Sequence, residues 1–449
     1  VTDLSAIQNL VLVAIAAPLG LLLILGITSL LDRTVPEQVT GVLAPLAFFL
    51  CLTCLGAAGV LMLSTGVHRE TLVLGRLLAV GDFEFQLHLL VDPLSITFAI
   101  FAETLCGVVA AFAHRYLHRE PGYNRFFLLL ATFSAGMMFI ILAGSMEVLF
   151  AGWEFVGVSS ALLIAFFHDR PAPAKNGLWT FIVYRVTDIG MLAAAVLIHH
   201  NAGSGEFSSF LGTSWPDGTT SLTTAQATAA GLFLLFSAMG KCAQFPFSGW
   251  LPRAMEGPTP SSAIFYGALS VHAGAYLLLR MGPLFDKSAF ASAMVVAVGL
   301  TTAVFATLVG RVQTDIKTAL AYASLTQVGI ILAEIGLGLR WLALLHMIGH
   351  AALRSLQLLR SPSMLHDFHN AEAAVGGHLA HTGMHLEKMF PEAVKWRLYR
   401  FALEKGYVDS ILDRFVVVPF VRVMKSLDTL EARWCRFLGG SRKGSEGRS

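Results

Sequence analysis

Ionisable side chains interrupt several of the most apolar runs of this sequence. Glu154 lies in Leu149-Phe150-Ala151-Gly152-Trp153-Glu154-Phe155-Val156-Gly157, and Arg185 and Asp188 lie in Val183-Tyr184-Arg185-Val186-Thr187-Asp188. Lys241 follows Ala238-Met239-Gly240 and precedes Cys242-Ala243-Gln244-Phe245-Pro246. His272 sits in the middle of another run, and His346, His350 and Arg354 recur every four residues in the last one. That spacing places the three on one helical face. A charge inside such a run is expensive and usually functional. A buried carboxylate and a buried amine can neutralise each other, and histidine relays protons near neutral pH. Glu, Lys and His joined by water would make a proton path. For any one of these residues the alternative is a static ion pair that fixes helix packing. Arg185 and Asp188, three apart, are open to that purely architectural reading. Glu154, Lys241 and the histidine–arginine face taken together favour conduction. Glu334 is nearer a helix end, and Glu103 is a single carboxylate to which spacing assigns no role.

The elements that carry these groups are set by composition. Of 449 residues, 55% are apolar and 13% charged. Soluble domains carry about 25% charge, so a soluble enzyme and a disordered chain are both excluded. The net charge of +2 gives no reason to expect nucleic acid. Charge is also uneven: residues 361–449 hold 23 of the 60 charged side chains. The chain therefore divides into a membrane body, 1–360, and a wetter tail, 361–449. Apolar runs of about 20 residues are transmembrane candidates. About eleven are expected, near 5–30, 41–64, 92–113, 125–143, 146–167, 176–199, 228–250, 260–281, 289–311, 316–337 and 340–360. Pro246 and Pro252 are expected to break the seventh beside Lys241, an arrangement typical of ion paths. Residues 70–90 read as a hairpin outside the bilayer. The Lys/Arg bias puts Arg33, Arg115, Arg119, Arg125, Arg170, Lys175, Arg253 and Arg311 inside, and Arg69, Arg76, Arg280, Lys287 and Arg340 outside. The N-terminus is then periplasmic and the tail cytoplasmic. The first apolar run, Leu4–Leu31, is too long for a signal-peptide core and lacks a basic leader.

Other chemistry is weakly supported. Cys51 and Cys54 form a C-x-x-C inside an apolar run without a second pair, so helix packing is the reading for both. His366-x2-His369 and His378-x2-His381, with His385, have metal-like spacing. With no Cys near them and no H-E-x-x-H, a solvated or partner-facing surface is expected instead. No nucleophile motif is present. The tail is amphipathic, with Trp396, Leu398, Phe401 and Leu403 among Lys395, Arg397, Arg400 and Glu404. Such a segment lies in the membrane interface or meets a partner. Its apolar stretch Phe415–Val423 is too short to span, and residues 439–449 read as disordered.

Several motifs are specific to one family. Val91-Asp92-Pro93-Leu94-Ser95, Pro121-Gly122-Tyr123-Asn124-Arg125, Gly152-Trp153-Glu154-Phe155-Val156-Gly157 and Arg185-Val186-Thr187-Asp188 resemble the large antiporter-like subunits of respiratory complex I and Mrp type. So do Gly240-Lys241-Cys242-Ala243-Gln244-Phe245-Pro246, Gln313-Thr314-Asp315-Ile316-Lys317 and His346-x3-His350-x3-Arg354. The resemblance covers residues 85–360. It implies an all-α membrane protein with antiporter-like inverted repeats and amphipathic C-terminal helices. It also implies that Glu154 and Lys241 are the pair whose separation gates proton movement, with Lys317 and the His346/His350 face continuing the axis.

The departures narrow the resemblance. Those subunits carry Lys where this chain has Arg354, and an Arg does not give up its proton. A family histidine falls on Tyr266, with His272 two turns on. After Leu359-Arg360 the family's further helices are replaced by Ser361-Pro362-Ser363 and the tail. The second repeat thus reads as truncated. In this the chain resembles the membrane subunits of the two-component DabA–DabB inorganic carbon transporters. That resemblance implies no enzyme activity and no cofactor in this chain. It implies instead a large cytoplasmic partner of DabA type, similar to a zinc carbonic anhydrase, in which flow of protons or Na+ drives CO2 hydration. The rival readings are a cation/proton antiporter or complex I-type pumping subunit, and a non-conducting membrane scaffold.

Overall fold

The computed structural model describes residues 2–80, 83–212, 215–361 and 391–438. Among them ten helices are long and apolar enough to cross a membrane, from Ser5–Leu30 to Arg340–Leu359. The seventh of the expected runs is present as a further, less apolar helix that is shorter than expected. There the helix Thr224–Lys241 stops at Lys241 and does not continue to 250. A turn follows, with Ala243 in the left-handed region at φ 53°. Short helical pieces Phe247–Gly249, Trp250–Arg253 and Ala254–Glu256 complete the break. The cause is the one the prolines suggested: Pro246 has no N–H to continue the ladder.

Position tracks composition. Ser5–Leu30 and Glu37–Thr65 are the most apolar spans and bury least of their surface, as lipid-facing helices do, whereas Thr259–Arg280 is enclosed on all sides. A helix walled in by protein can carry polar groups. This one holds His272 and a π-helical stretch over Ser262–Leu269, a distortion often found at functional sites. Around it stand the helices Pro93–Tyr116, Tyr123–Ile141, Met146–Ile164, Thr224–Lys241, Ile316–Gly336 and Arg340–Leu359. Two crossings rest on paired glycines. A Cβ on Gly152 would lie 2.6 Å from the Gly136 carbonyl, and one on Gly299 would lie 2.4 Å from the Gly329 carbonyl. Such close backbone approach is how helices pack where lipid removes the hydrophobic drive.

The hairpin is present as strands Glu70–Val80 and Phe83–Val91, paired antiparallel. It leads into Asp92, which caps the helix Pro93–Tyr116 in a reciprocal box with Ser95. Arg280, expected as an outside loop charge, is instead 4% exposed and ion-paired to Asp92. A buried carboxylate at the helix start needs a cation, and Arg280 at the end of its own helix supplies it. The tail contributes the helices Glu392–Leu403, Val408–Leu412 and Val418–Leu438. The tail histidines His366, His369, His378, His381 and His385, and the segment 439–449, lie outside the described residues. Cys51, Cys54, Cys106 and Cys242 are buried and unbridged, and Cys435 is exposed.

Candidate functional site

Glycines draw three helices together around the ionisable groups. Gly152 presses the Glu154 helix against Gly136, as above. Gly157, three residues after Glu154, clears a space: a Cβ there would stand 3.0 Å from Lys241 Nζ and 3.3 Å from an Arg185 Nη atom. Gly240 is flush against the helix of Arg185 and Asp188, since a Cβ would fall 1.9 Å from Thr187 Oγ1.

The side chains brought together form a charge-balanced cluster. Arg185 Nη1 donates to Glu154 Oε2, and its Nη2 lies 2.8 Å from Asp188 Oδ2. Trp153 Nε1 donates to Asp188 Oδ1 at 2.5 Å. Lys241 Nζ donates to the Trp153 carbonyl at 3.1 Å. It lies over the ring faces of Trp153 at 4.8 Å and Tyr184 at 4.2 Å, a cation–π setting. Lys241 is fully buried, while Glu154 and Arg185 are each about a quarter exposed. Glu154 and Lys241 are expected to be the pair whose separation gates proton movement. Among the described residues Glu154 pairs with Arg185, and Lys241 makes no ion pair. Geometry explains this: the Arg185 guanidinium reaches both carboxylates at once, while Lys241 comes off a helix end into the aromatic wall. The Arg185–Asp188 pair is present as spacing suggested.

A second group lies on the enclosed helix and on the helix Arg340–Leu359. His272 Nδ1 contacts the Ala268 carbonyl, and a carbonyl only accepts, so Nδ1 carries a proton. In the neutral ring Nε2 is then the acceptor. It faces His350 Nδ1 at 3.1 Å, which must therefore donate. Among the described residues that leaves His350 Nε2 as a buried acceptor without a protein partner, and Arg354 Nε, one turn on, as a donor without one. His350 and Arg354 are each 6% exposed. His346 faces a different set: Nδ1 lies 2.9 Å from Glu334 Oε1 and Nε2 3.0 Å from Gln327 Oε1. The three-residue face is thus real but divided. Tyr266 is buried and donates its hydroxyl to the Ser160 carbonyl at 2.7 Å. Lys317 is half-buried in the first turn of its helix. No hydrogen bond or ion pair links it to either group among the described residues.

Sequence reasoning missed several partners. Trp153 and Tyr184 stood inside quoted motifs, but nothing in their spacing marks them as the lysine's wall. Glu334 reads as lying near a helix end, and nothing in its spacing matches it to His346. Glu103, left unassigned, is buried with both oxygens 2.8 and 3.0 Å from Ser134 Oγ. Asp92, with Pro93 and Ser95, carried a readable N-cap pattern, but its Arg280 partner is 188 residues away. Ser237 Oγ, Gln244 Oε1 and Ser262 Oγ are further buried polar atoms without a partner among the described residues. Such atoms are normally satisfied by ordered water.

Comparison with known proteins bears on this arrangement. The family described as "NADH:quinone oxidoreductase/Mrp antiporter, TM" matches residues 143–382, and the complex I chain 5 N-terminal family matches residues 77–127. The chain is 34% identical over 303 residues to NAD(P)H-quinone oxidoreductase chain 5 of Picosynechococcus sp., covering 66% of this chain and 46% of that one. It is 34% identical over 280 residues to the probable inorganic carbon transporter subunit DabB1 of Halothiobacillus neapolitanus, covering 62% and 50%. The chain thus spans about half the length of these curated relatives. Among solved structures, the Mrp complex from Dietzia sp. DQ12-45-1b superposes with a TM-score of 0.63 at 29% identity, over 80% of this chain and 37% of that one. An archaeal membrane-bound sulfane sulfur reductase complex shares the fold at a TM-score of 0.62 and 19% identity, over 78% and 70%.

Proposed function

The chain belongs to the NADH:quinone oxidoreductase/Mrp antiporter transmembrane family, and from that premise we propose that it conducts protons as the membrane subunit of an energy-coupled inorganic carbon transporter. The observation that carries conduction is the cluster Glu154–Arg185–Asp188–Lys241. Its lysine is fully buried and, among the described residues, holds no carboxylate and is bound only by a carbonyl and two ring faces. A proton can leave or join such an amine without an ion pair having to break. His272 and His350 continue the line, and Lys317 and His346 stand at its margins. Buried polar atoms without a partner among the described residues, such as Ser237 Oγ beside Lys241 on its helix and His350 Nε2, are places for the water that would link these groups. Na+ is the less favoured ion, because the line is built of amine, imidazole and carboxylate rather than an oxygen cage.

The carbon reading rests on the DabB1 relative and on Arg354, a fixed charge at a position where the pumping subunits have lysine. On this reading the chain itself holds no cofactor. CO2 hydration belongs to a zinc-containing, carbonic-anhydrase-like cytoplasmic partner. The chain sits in the inner membrane with its N-terminus periplasmic and its tail cytoplasmic. A cation/proton antiporter or complex I-type subunit is the second reading, favoured by the Mrp neighbour and the quinone oxidoreductase relative. Purification of the chain from its native membrane separates the two. A large zinc-binding subunit in the complex supports carbon transport, and quinone-reducing or Mrp subunits would overturn it. Proton uptake by proteoliposomes that is unchanged in Lys241→Ala and Glu154→Gln would overturn conduction itself.

A further inference from the structure

Arg354 is a buried cation that nothing among the described residues neutralises. It makes no hydrogen bond or ion pair with them, and its Nε is a buried donor left over. The other arginines inside the helical body are matched to acids: Arg280 holds Asp92, and Arg185 holds Glu154 and Asp188. Taking a charge out of water is so costly that buried charges are paired. Arg354 therefore calls for a counter-charge.

The atoms around it specify the shape of that counter-charge. His350, Arg354 and Gln357 share one face of the helix Arg340–Leu359, and Ser361 follows just past its end. Each carries a buried polar atom without a partner among the described residues: His350 Nε2, Arg354 Nε, Gln357 Oε1 and Ser361 Oγ. The facing wall is the enclosed helix. His350 meets His272 there, and the Arg354 stem lies over Gly267, where a Cβ would stand 3.2 Å from Arg354 Cγ and 2.4 Å from Leu358 Cδ1. Gly267, inside the π-helical stretch, thus makes room for the arginine.

This set of atoms is mixed. The guanidinium only donates, whereas His350 Nε2 and Gln357 Oε1 accept. Chloride or nitrate would satisfy the guanidinium and leave the acceptors bare. Water would satisfy the acceptors and leave the charge. An oxyanion that keeps a hydroxyl does both: its charged oxygens match the guanidinium fork, and its O–H donates to an acceptor. Bicarbonate is a small anion of this kind.

We propose that Arg354 and His350 form a bicarbonate site on the buried face of this helix, the guanidinium binding the charged oxygens and His350 Nε2 taking the hydroxyl. In bicarbonate-free medium water fills the place, and Arg354 keeps its full charge beside His350. That the anion takes part in carbon transport rests on the reading above; the binding itself does not.

The test measures retention of radiolabelled bicarbonate by the purified full chain in lipid nanodiscs, in mildly alkaline gluconate buffer. The wild type should bind saturably. R354Q should weaken binding about tenfold or more, and R354K, which keeps the charge and loses the fork, should fall between. Unlabelled nitrate should displace the label about tenfold less well than unlabelled bicarbonate, because it has no hydroxyl to donate. In H350F that preference should vanish while Arg354 still holds an anion. Absence of saturable binding by the folded wild type, wild-type binding in R354Q, or nitrate equal to bicarbonate in the wild type overturns the site. Should R354Q fail to fold, R354K and the wild-type competition decide. The carbon reading fails separately: a chain that binds bicarbonate and purifies with quinone-reducing subunits keeps the site and loses the transporter, and a zinc-binding partner without bicarbonate binding does the reverse.

Discussion

The Glu154–Arg185–Asp188–Lys241 cluster and the His272–His350–Arg354 group are both enclosed by apolar helices, yet they balance charge in opposite ways. The first holds two carboxylates and two cations, with Arg185 bridging both acids. The second holds a fixed guanidinium and two imidazoles, and among the described residues no carboxylate is bonded to any of the three. Glu334, on the helix Ile316–Gly336, is taken by His346. A balanced cluster can move a proton among its members without creating net buried charge, which is the expensive quantity in a low-dielectric interior. The histidine group must take on a second positive charge to accept a proton beside Arg354. On the proton path proposed above, the first region is the one that exchanges protons, and the second admits them only against repulsion.

The sharpest way to break this contrast is at Lys241. Lys241→Ala should reduce vesicle proton uptake to that of protein-free membranes, while His350→Asn leaves a measurable fraction. Equal losses in the two variants would erase the distinction. The next largest effect is on stability. Arg185→Ala strands Glu154 and Asp188 without their common cation. Breaking a buried pair from one side costs about 3–5 kcal/mol, and the partial exposure of Arg185 and Glu154 brings this to about 2–3 kcal/mol. Denaturation of Arg185→Ala against Arg185→Ala/Glu154→Ala checks it, because the double variant should recover part of the loss.

How far the two regions were legible in the sequence differs for a physical reason. Glu154, Arg185, Asp188 and Lys241 stand out because a charge in an apolar run is costly wherever it points. Their partners do not stand out. That Glu154 meets Arg185 rather than Lys241 depends on how three helices are rotated, which Gly152, Gly157 and Gly240 settle through contacts visible only in three dimensions. The i, i+4, i+8 spacing of His346, His350 and Arg354 located a face correctly, but not that His346 turns to Glu334 while His350 turns to His272. Spans were readable from length and apolarity, and the break after Lys241 from Pro246. Arg280 misled because a charge at a helix end reads the same whether it meets water or a buried Asp92 on a distant segment.

A smaller effect tests the fixed charge. Arg354→Lys keeps the cation but allows it to lose its proton. Uptake should rise on the order of a few-fold, because the repulsion on His350 is then relieved during transfer. Arg354→Ala removes the charge and the packing together and serves as the control. An unchanged rate in Arg354→Lys would mean that the guanidinium shapes the site without opposing protons.

The smallest effect isolates one hydrogen bond of the balanced cluster. Trp153 has two roles there: its ring lies under Lys241 Nζ, and its Nε1 donates to Asp188. Trp153→Phe keeps an aromatic face and the backbone carbonyl that Lys241 binds, and removes the indole donor. Asp188 then relies on Arg185 alone. A hydrogen bond to a charged group contributes about 1.5–3 kcal/mol, and rearrangement of Arg185 toward Asp188 should recover part of it. Because Arg185 is shared, that movement weakens its hold on Glu154. The variant should therefore stay folded and slow uptake modestly, and a following Glu154→Gln should cost less in Trp153→Phe than in the wild type. Strict additivity of the two substitutions would show that Arg185 does not redistribute between its carboxylates, and the charge balance would then be static rather than a means of moving protons.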